Sequence, residues 1–175
     1  MTQQASKSRR LRRRVLWASL AIIVVAAGAI LGISGYAASS LTRFERVPVG
    51  SSPADFELEY ADVSFPSRDG LTLRGWWLEG GDASPTIVVV HGSEGNRADP
   101  VERMLVIAKD LVSHGYNVLM FDMRGHGESG GEHISAGLYE KNDLLGAIDY
   151  VRVRGIENKI GVLGFSMGAA VCLMA

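Results

Sequence analysis

Lys159-Ile160-Gly161-Val162-Leu163-Gly164-Phe165-Ser166-Met167-Gly168-Ala169-Ala170-Val171-Cys172-Leu173-Met174-Ala175 is the stretch that decides the fold. Its first half is a short apolar segment that reads as a buried strand, and the run from Ala169 onward reads as a helix. At the junction Ser166 stands between Gly164 and Gly168, the Gly-x-Ser-x-Gly spacing of a nucleophile elbow. The chemistry asks for those residue types. A sharp strand-to-helix turn exposes the serine Oγ, and small neighbours on either side let strand and helix approach each other. The same turn aims the next backbone N–H, that of Met167, at the space where an oxyanion would form. The positive end of the helix dipole lies beside it.

Working back from the elbow, residues 160–163, 117–121 and 86–90 are short apolar strands, and Thr86-Ile87-Val88-Val89-Val90 has the β-branched character of a strand buried on both faces. Two amphipathic helices separate them. Asp99-Pro100-Val101-Glu102 reads as a helix start, with Asp as N-cap, Pro at the first position and Glu at the third. An apolar face follows through Val101, Met104, Leu105, Ala108, Leu111 and Val112, and Gly115 stops the helix. The second helix, residues 139–154, turns Leu144, Leu145, Ile148 and Val151 inward. Residues 57–65 and 71–78 read as a hairpin across Ser67-Arg68-Asp69-Gly70, where Asp-Gly is a strong turn signal. Trp76 and Trp77 face opposite sides of that strand, so one of them is expected to pack inward. The alternation implies an α/β fold with a mostly parallel sheet and helices on both faces.

The N-terminal third is of another kind. Residues 1–14 are polar and basic, whereas residues 15–38 are almost wholly apolar and uncharged. About 20 such residues span a hydrocarbon core, and Trp17 and Tyr36 sit near the two ends where amphipathic rings favour headgroups. Five arginines precede the run, against Arg43 and Arg46 after it, so the positive-inside bias keeps the N-terminus cytoplasmic and sends the rest across the cell membrane. A cleaved signal peptide competes with this reading, with Gly35 and Ala37 as small residues before a cut, but its apolar core is normally shorter. Residues 39–55, with Pro48, Gly50, Ser51, Ser52 and Pro53, form a linker to the domain at 56–175.

The 175 residues carry a net charge of −1 and give no reason to expect a nucleic-acid partner. The single cysteine, Cys172, rules out a disulfide framework and a cysteine zinc site, and its place on an apolar helix reads as core. No metal or organic cofactor is expected.

Three motifs in the expected order resemble the α/β-hydrolase superfamily. His91-Gly92-Ser93-Glu94-Gly95-Asn96 follows the first buried strand and is similar to that family's oxyanion loop. Asp122-Met123-Arg124-Gly125-His126-Gly127-Glu128-Ser129 is similar to its Asp-x-Arg-Gly-x-Gly-x-Ser turn. The third motif is the elbow, and the resemblance covers about residues 57–175, nearest to serine-aminopeptidase-like and monoacylglycerol-lipase-like members. It implies Ser166 as nucleophile and the backbone N–H groups of Met167 and Ser93 as oxyanion donors, with Gly164, Gly168 and Gly92 shaping the elbow and loop. The implied substrate is a small-molecule or lipid-like carboxylic ester, thioester or amide. In such hydrolases the acid and the His of the triad follow the serine in the chain, and none follows Ser166 here. The chain therefore reads as the N-terminal part of a hydrolase, inactive by itself. His91 and His126 are expected to be structural, His114 a helix cap and His133 solvated, while Asp122 pins its turn.

Two rival readings remain. Gly125-His126-Gly127-Glu128-Ser129-Gly130 matches Gly-x-Gly-x-x-Gly, but the residues after it are loop-like, where a dinucleotide site needs a helix. A catalytically inactive truncated hydrolase, or a membrane-tethered binding module, is the non-enzymatic alternative.

Overall fold

The structure is a computed structural model and describes residues 2–42, 45–81, 84–155 and 159–175. It divides into two compact units, Met1–Leu41 and Thr42–Ala175. The first consists of the helix α1 (Thr2–Thr42), whose last residue, Thr42, is counted with the second. Within α1, Arg12–Ser40 is long and apolar enough to cross a membrane.

The second unit is built on five strands: β1 (Ala61–Pro66), β2 (Thr72–Leu78), β3 (Thr86–Val90), β4 (Asn117–Phe121) and β5 (Ile160–Gly164). They lie in the order β1-β2-β4-β3-β5. Pairs β1/β2 and β2/β4 are antiparallel, whereas β3/β4 and β3/β5 are parallel. The sheet is thus mixed in its described strands rather than mostly parallel. The hairpin supplies the antiparallel half, because a short turn reverses the chain and only the helical crossovers return it in the same direction. Gly70, at φ 86°, makes that reversal in the Asp-Gly turn.

Helices α2 (Met104–Ser113), α3 (Glu140–Val153) and α4 (Met167–Met174) cover both faces. On one face Phe65, Leu73, Trp77, Val88, Val90 and Phe121 pack with Leu144, Ala147 and Val151 of α3 and Val171 of α4. On the other Trp76, Leu78, Val89, Val118 and Met120 pack with Met104, Leu105 and Ala108 of α2. Trp76 and Trp77 are therefore both buried, on opposite faces. A strand covered on two sides has no solvent face to give the second ring. Cys172 is partly buried against the first cluster, and burial raises its thiol pKa.

Two element boundaries differ from the sequence reading. Residues 57–60 are outside β1, after a 3-10 helix at Pro53–Phe56 that ends with Glu57 in the left-handed region. Residues 100–103 form a turn, and α2 begins only at Met104. Asp99 does cap, accepting the N–H groups of Val101 (2.7 Å) and Glu102 (3.2 Å). Arg103 at φ 56° then breaks the helical path, Glu102 is drawn away to another partner, and Val101 lies exposed.

The register places the site. Val90 of β3 pairs with Phe121 of β4 and with Gly164 of β5. The residues that follow these strands, His91, Asp122 and Phe165-Ser166, therefore emerge together at the carboxyl edge of the sheet, where open α/β sheets bind their ligands. β5 is the outermost described strand on its side of the sheet, and Val162 and Leu173 are exposed beside it.

Candidate active site

Ser166 caps α4 with φ 48° and ψ −117°, a conformation that non-glycine residues rarely adopt. Holding a side chain there costs on the order of 1–3 kcal/mol, which the surrounding packing must offset. Phe165 N–H donates to Val90 O at 2.9 Å and Gly168 N–H to Phe165 O at 2.7 Å, so the turn is tied to β3 on one side and to α4 on the other. Ser166 remains exposed, while Met167 and Gly168 are buried.

Close approach explains the glycines. A Cβ at Gly168 would sit 2.4 Å from Val90 O and 2.6 Å from His91 O, and one at Gly164 would sit 2.4 Å from Gly168 O. These neighbours are backbone, which cannot swing aside as the end of a flexible side chain can.

The loop after β3 is pinned peptide by peptide. Gly92 N–H donates to Glu102 Oε2 at 3.0 Å, which holds the His91–Gly92 peptide. His91 Nε2 accepts the Met123 N–H at 3.0 Å, so the ring proton resides on Nδ1, which donates to Gly92 O at 2.6 Å and holds the next peptide. That peptide carries the Ser93 N–H. The third carbonyl, Ser93 O, lies 2.8 Å from His126 Nε2. Neither Ser93 N–H nor Met167 N–H meets an acceptor among the described residues. A Cβ on Gly92 would lie 3.3 Å from Ser166 Cβ, so this loop borders the elbow directly. Ser93, Glu94, Gly95, Asp99, Val101, Glu102 and Ser166 line a cleft of about 410 Å³.

His91 is fully buried. Burial, followed by the neighbouring His126 ring, lowers its pKa to about 4. It serves as a brace for the loop and is shielded from the cleft. The unfolded chain, with an ordinary histidine pKa near 6.5, binds more protons than the folded chain between about pH 4 and 6.5. This contribution to stability is complete above about pH 6.5 and is lost as pH falls toward about 4, by about 3 kcal/mol in total. Melting temperatures measured across that range should fall on acidification, and less steeply in His91→Gln.

The turn after β4 is a frame for the same edge. Asp122 is buried and accepts Arg97 N–H (2.8 Å), the Arg97 guanidinium and Glu128 N–H (2.9 Å). Arg97 lies over the Trp76 ring at 4.3 Å and also pairs with Glu128. Arg124 bridges Asp143 of α3 and Asp69 of the hairpin turn, and its hydrogen bond lowers the Asp69 carboxyl pKa to about 2. Residues 125–130 run as turns, and the next helix starts only at Glu140, so they present no helix N-terminus to a pyrophosphate. His114 donates to Asp110 O from the end of α2, and His133 is exposed. The sequence reading missed Glu102, Arg97 and the Ser93 contact of His126. Their partners lie 10 to 33 positions away, with no local pattern to announce them.

A match to the family described as serine aminopeptidase, S33, covers residues 81–175, more than half of the chain. The chain belongs to this α/β-hydrolase family. The Pyrococcus furiosus esterase Pf2001 superposes with a TM-score of 0.69 at 36% identity, over 74% of this chain and 51% of that one. Protein bem46 of Schizosaccharomyces pombe is 30% identical over 89% of this chain and 52% of its own length. The lysophosphatidylserine lipase ABHD12 of Gallus gallus is 33% identical over 54% of this chain and 24% of its own. Among these curated relatives the chain spans at most about half of the partner's length, so it corresponds to the N-terminal part of the hydrolase fold.

Proposed function

We propose that the whole protein is a membrane-anchored serine hydrolase acting on a carboxylic ester, thioester or amide, with Ser166 as nucleophile. The single observation that carries this reading is the exposed Ser166, held at φ 48° beside a loop whose Ser93 N–H, like that of Met167, has no acceptor among the described residues. Those N–H groups would stabilise the developing oxyanion, each worth about 3 kcal/mol in comparable sites. The general base His and its orienting acid belong to the half of the fold that these residues do not span. The esterase and lipase named above support ester substrates, including lipid-like ones. Residues 15–38 serve as an uncleaved anchor in the cell membrane, residues 1–14 as a cytoplasmic tail, and residues 39–55 as the linker to the extracytoplasmic hydrolase domain that begins at residue 56. The test is fluorophosphonate labelling of the protein in its native membranes, followed by peptide mass spectrometry. An adduct on Ser166 is expected; a protein that stays unlabelled while other serine hydrolases in the sample react would overturn the reading.

A further inference from the structure

We propose that the segment joining the apolar helix to the sheet is a positioning element for the oxyanion loop, with Arg46 as its anchor and His126 as its relay. The catalytic consequence rests on the hydrolase reading above.

Arg46 Nη1 donates to the backbone carbonyls of His126 (3.5 Å), Gly127 (3.2 Å) and Ser129, and its Nη2 donates to Gly131 O. Arg46 has no carboxylate partner among the described residues, so its charge is met by converging main-chain oxygens. The planar fork of a guanidinium suits several carbonyls at once, as a lysine's point charge does not. Gly127 (φ 41°) and Gly131 (φ 87°) give this turn the left-handed bends that bring those oxygens to one side. On its other side the turn is held by Asp122, through Glu128 N–H (2.9 Å) and through Ser129 Oγ, which donates to Asp122 O at 2.6 Å.

His126 stands in this clamped turn. Its ring nitrogens lie 2.8 Å from Arg124 O and 2.8 Å from Ser93 O, so the second contact carries the position of the turn to the loop beside Ser166. The same segment reaches that loop at a second point. Asn96 Nδ2 donates to Val47 O (3.1 Å) and Pro48 O (3.2 Å), while Asn96 Oδ1 accepts Ala98 N–H at 2.8 Å. Residues 46–48 thus bond both loops that frame Ser93. A link that only spaced the domain from the bilayer would need neither contact.

The experiment compares Arg46→Met and Arg46→Lys with the wild type in the full-length, detergent-solubilised protein. Amide hydrogen exchange is read on the peptide spanning 91–97, and ester turnover is measured in parallel. In Arg46→Met, exchange in that peptide should rise about tenfold, with β4 and α3 unchanged. Its kcat should fall about tenfold with KM within about twofold, because a small misplacement of a donor is felt in the transition state. Arg46→Lys should fall between, and millimolar guanidinium should restore part of the rate to Arg46→Met. Unchanged exchange at 91–97 would overturn the proposal, as would faster exchange spread over the whole domain with a matching loss of melting temperature. A wild type that neither turns over esters nor takes the fluorophosphonate would sink the hydrolase reading, while the exchange data would still decide whether Arg46 positions the loop.

Discussion

Ser166→Ala in the whole protein is expected to lower kcat by about 10⁴-fold or more while leaving the melting temperature within a few degrees of wild type. The size of the loss follows from covalent catalysis. On the proposed mechanism, acyl transfer without Oγ has no nucleophile, and only binding and the proposed oxyanion donors remain to assist attack by water. The near-silence in stability follows from the position of the side chain. Ser166 is exposed, and its hydroxyl makes no capping hydrogen bond to α4, so removing it uncovers no buried partner. The backbone strain at φ 48° is common to Ser and Ala. Ser166→Gly should be equally inactive but more stable, because glycine relieves a cost of about 1–3 kcal/mol there. Steady-state kinetics with thermal melting on the three proteins checks both statements. Turnover retained in Ser166→Ala would remove the serine from the mechanism.

Gly168→Ala is expected to act the other way round, through the fold, at a cost of about 3 kcal/mol or more. The added Cβ would meet Val90 O at 2.4 Å and His91 O at 2.6 Å. Real Cβ atoms do not approach so closely, so α4 must move away from β3. That movement carries the turn at Ser166 with it and separates Met167 N–H from Ser93 N–H, since the Val90–His91 backbone leads straight into the loop that carries Ser93. Fluorophosphonate labelling should therefore be lost even in whatever fraction stays folded. Urea unfolding and labelling measured on the same sample provide the check; wild-type stability would mean that helix and strand are less tightly apposed than the structure has them.

Much of this was legible in the chain. The β-branched run 86–90, the apolar run 117–121 and the amphipathic run 139–154 became β3, β4 and α3 within a residue or two, because apolar periodicity reports directly on which side of an element meets other protein. The Gly-x-Ser-x-Gly spacing located the strand-to-helix turn at Ser166 because only glycine tolerates the backbone contacts at positions 164 and 168. Reading failed where local signals competed with distant partners. Asp99-Pro100-Val101-Glu102 has the composition of a helix start, yet the Glu102 carboxylate is taken by Gly92 N–H, and burial raises its pKa. One buried tryptophan was expected and two were found, because strand periodicity says which faces exist but not that both are covered.

Sequence alone therefore determined the elements, the family resemblance and the identity of the candidate nucleophile, since each rests on residue types at short spacings along one strand, turn or helix. Tertiary structure decided the mixed sheet order, the peptide-by-peptide bracing of the loop by Glu102, His91 and His126, and the docking of Arg46 on the carbonyls of residues 126–131. The reason is physical. A backbone carbonyl has the same chemistry at every position, so which one a distant guanidinium or imidazole meets is set by how the strands pack and not by any pattern along the chain.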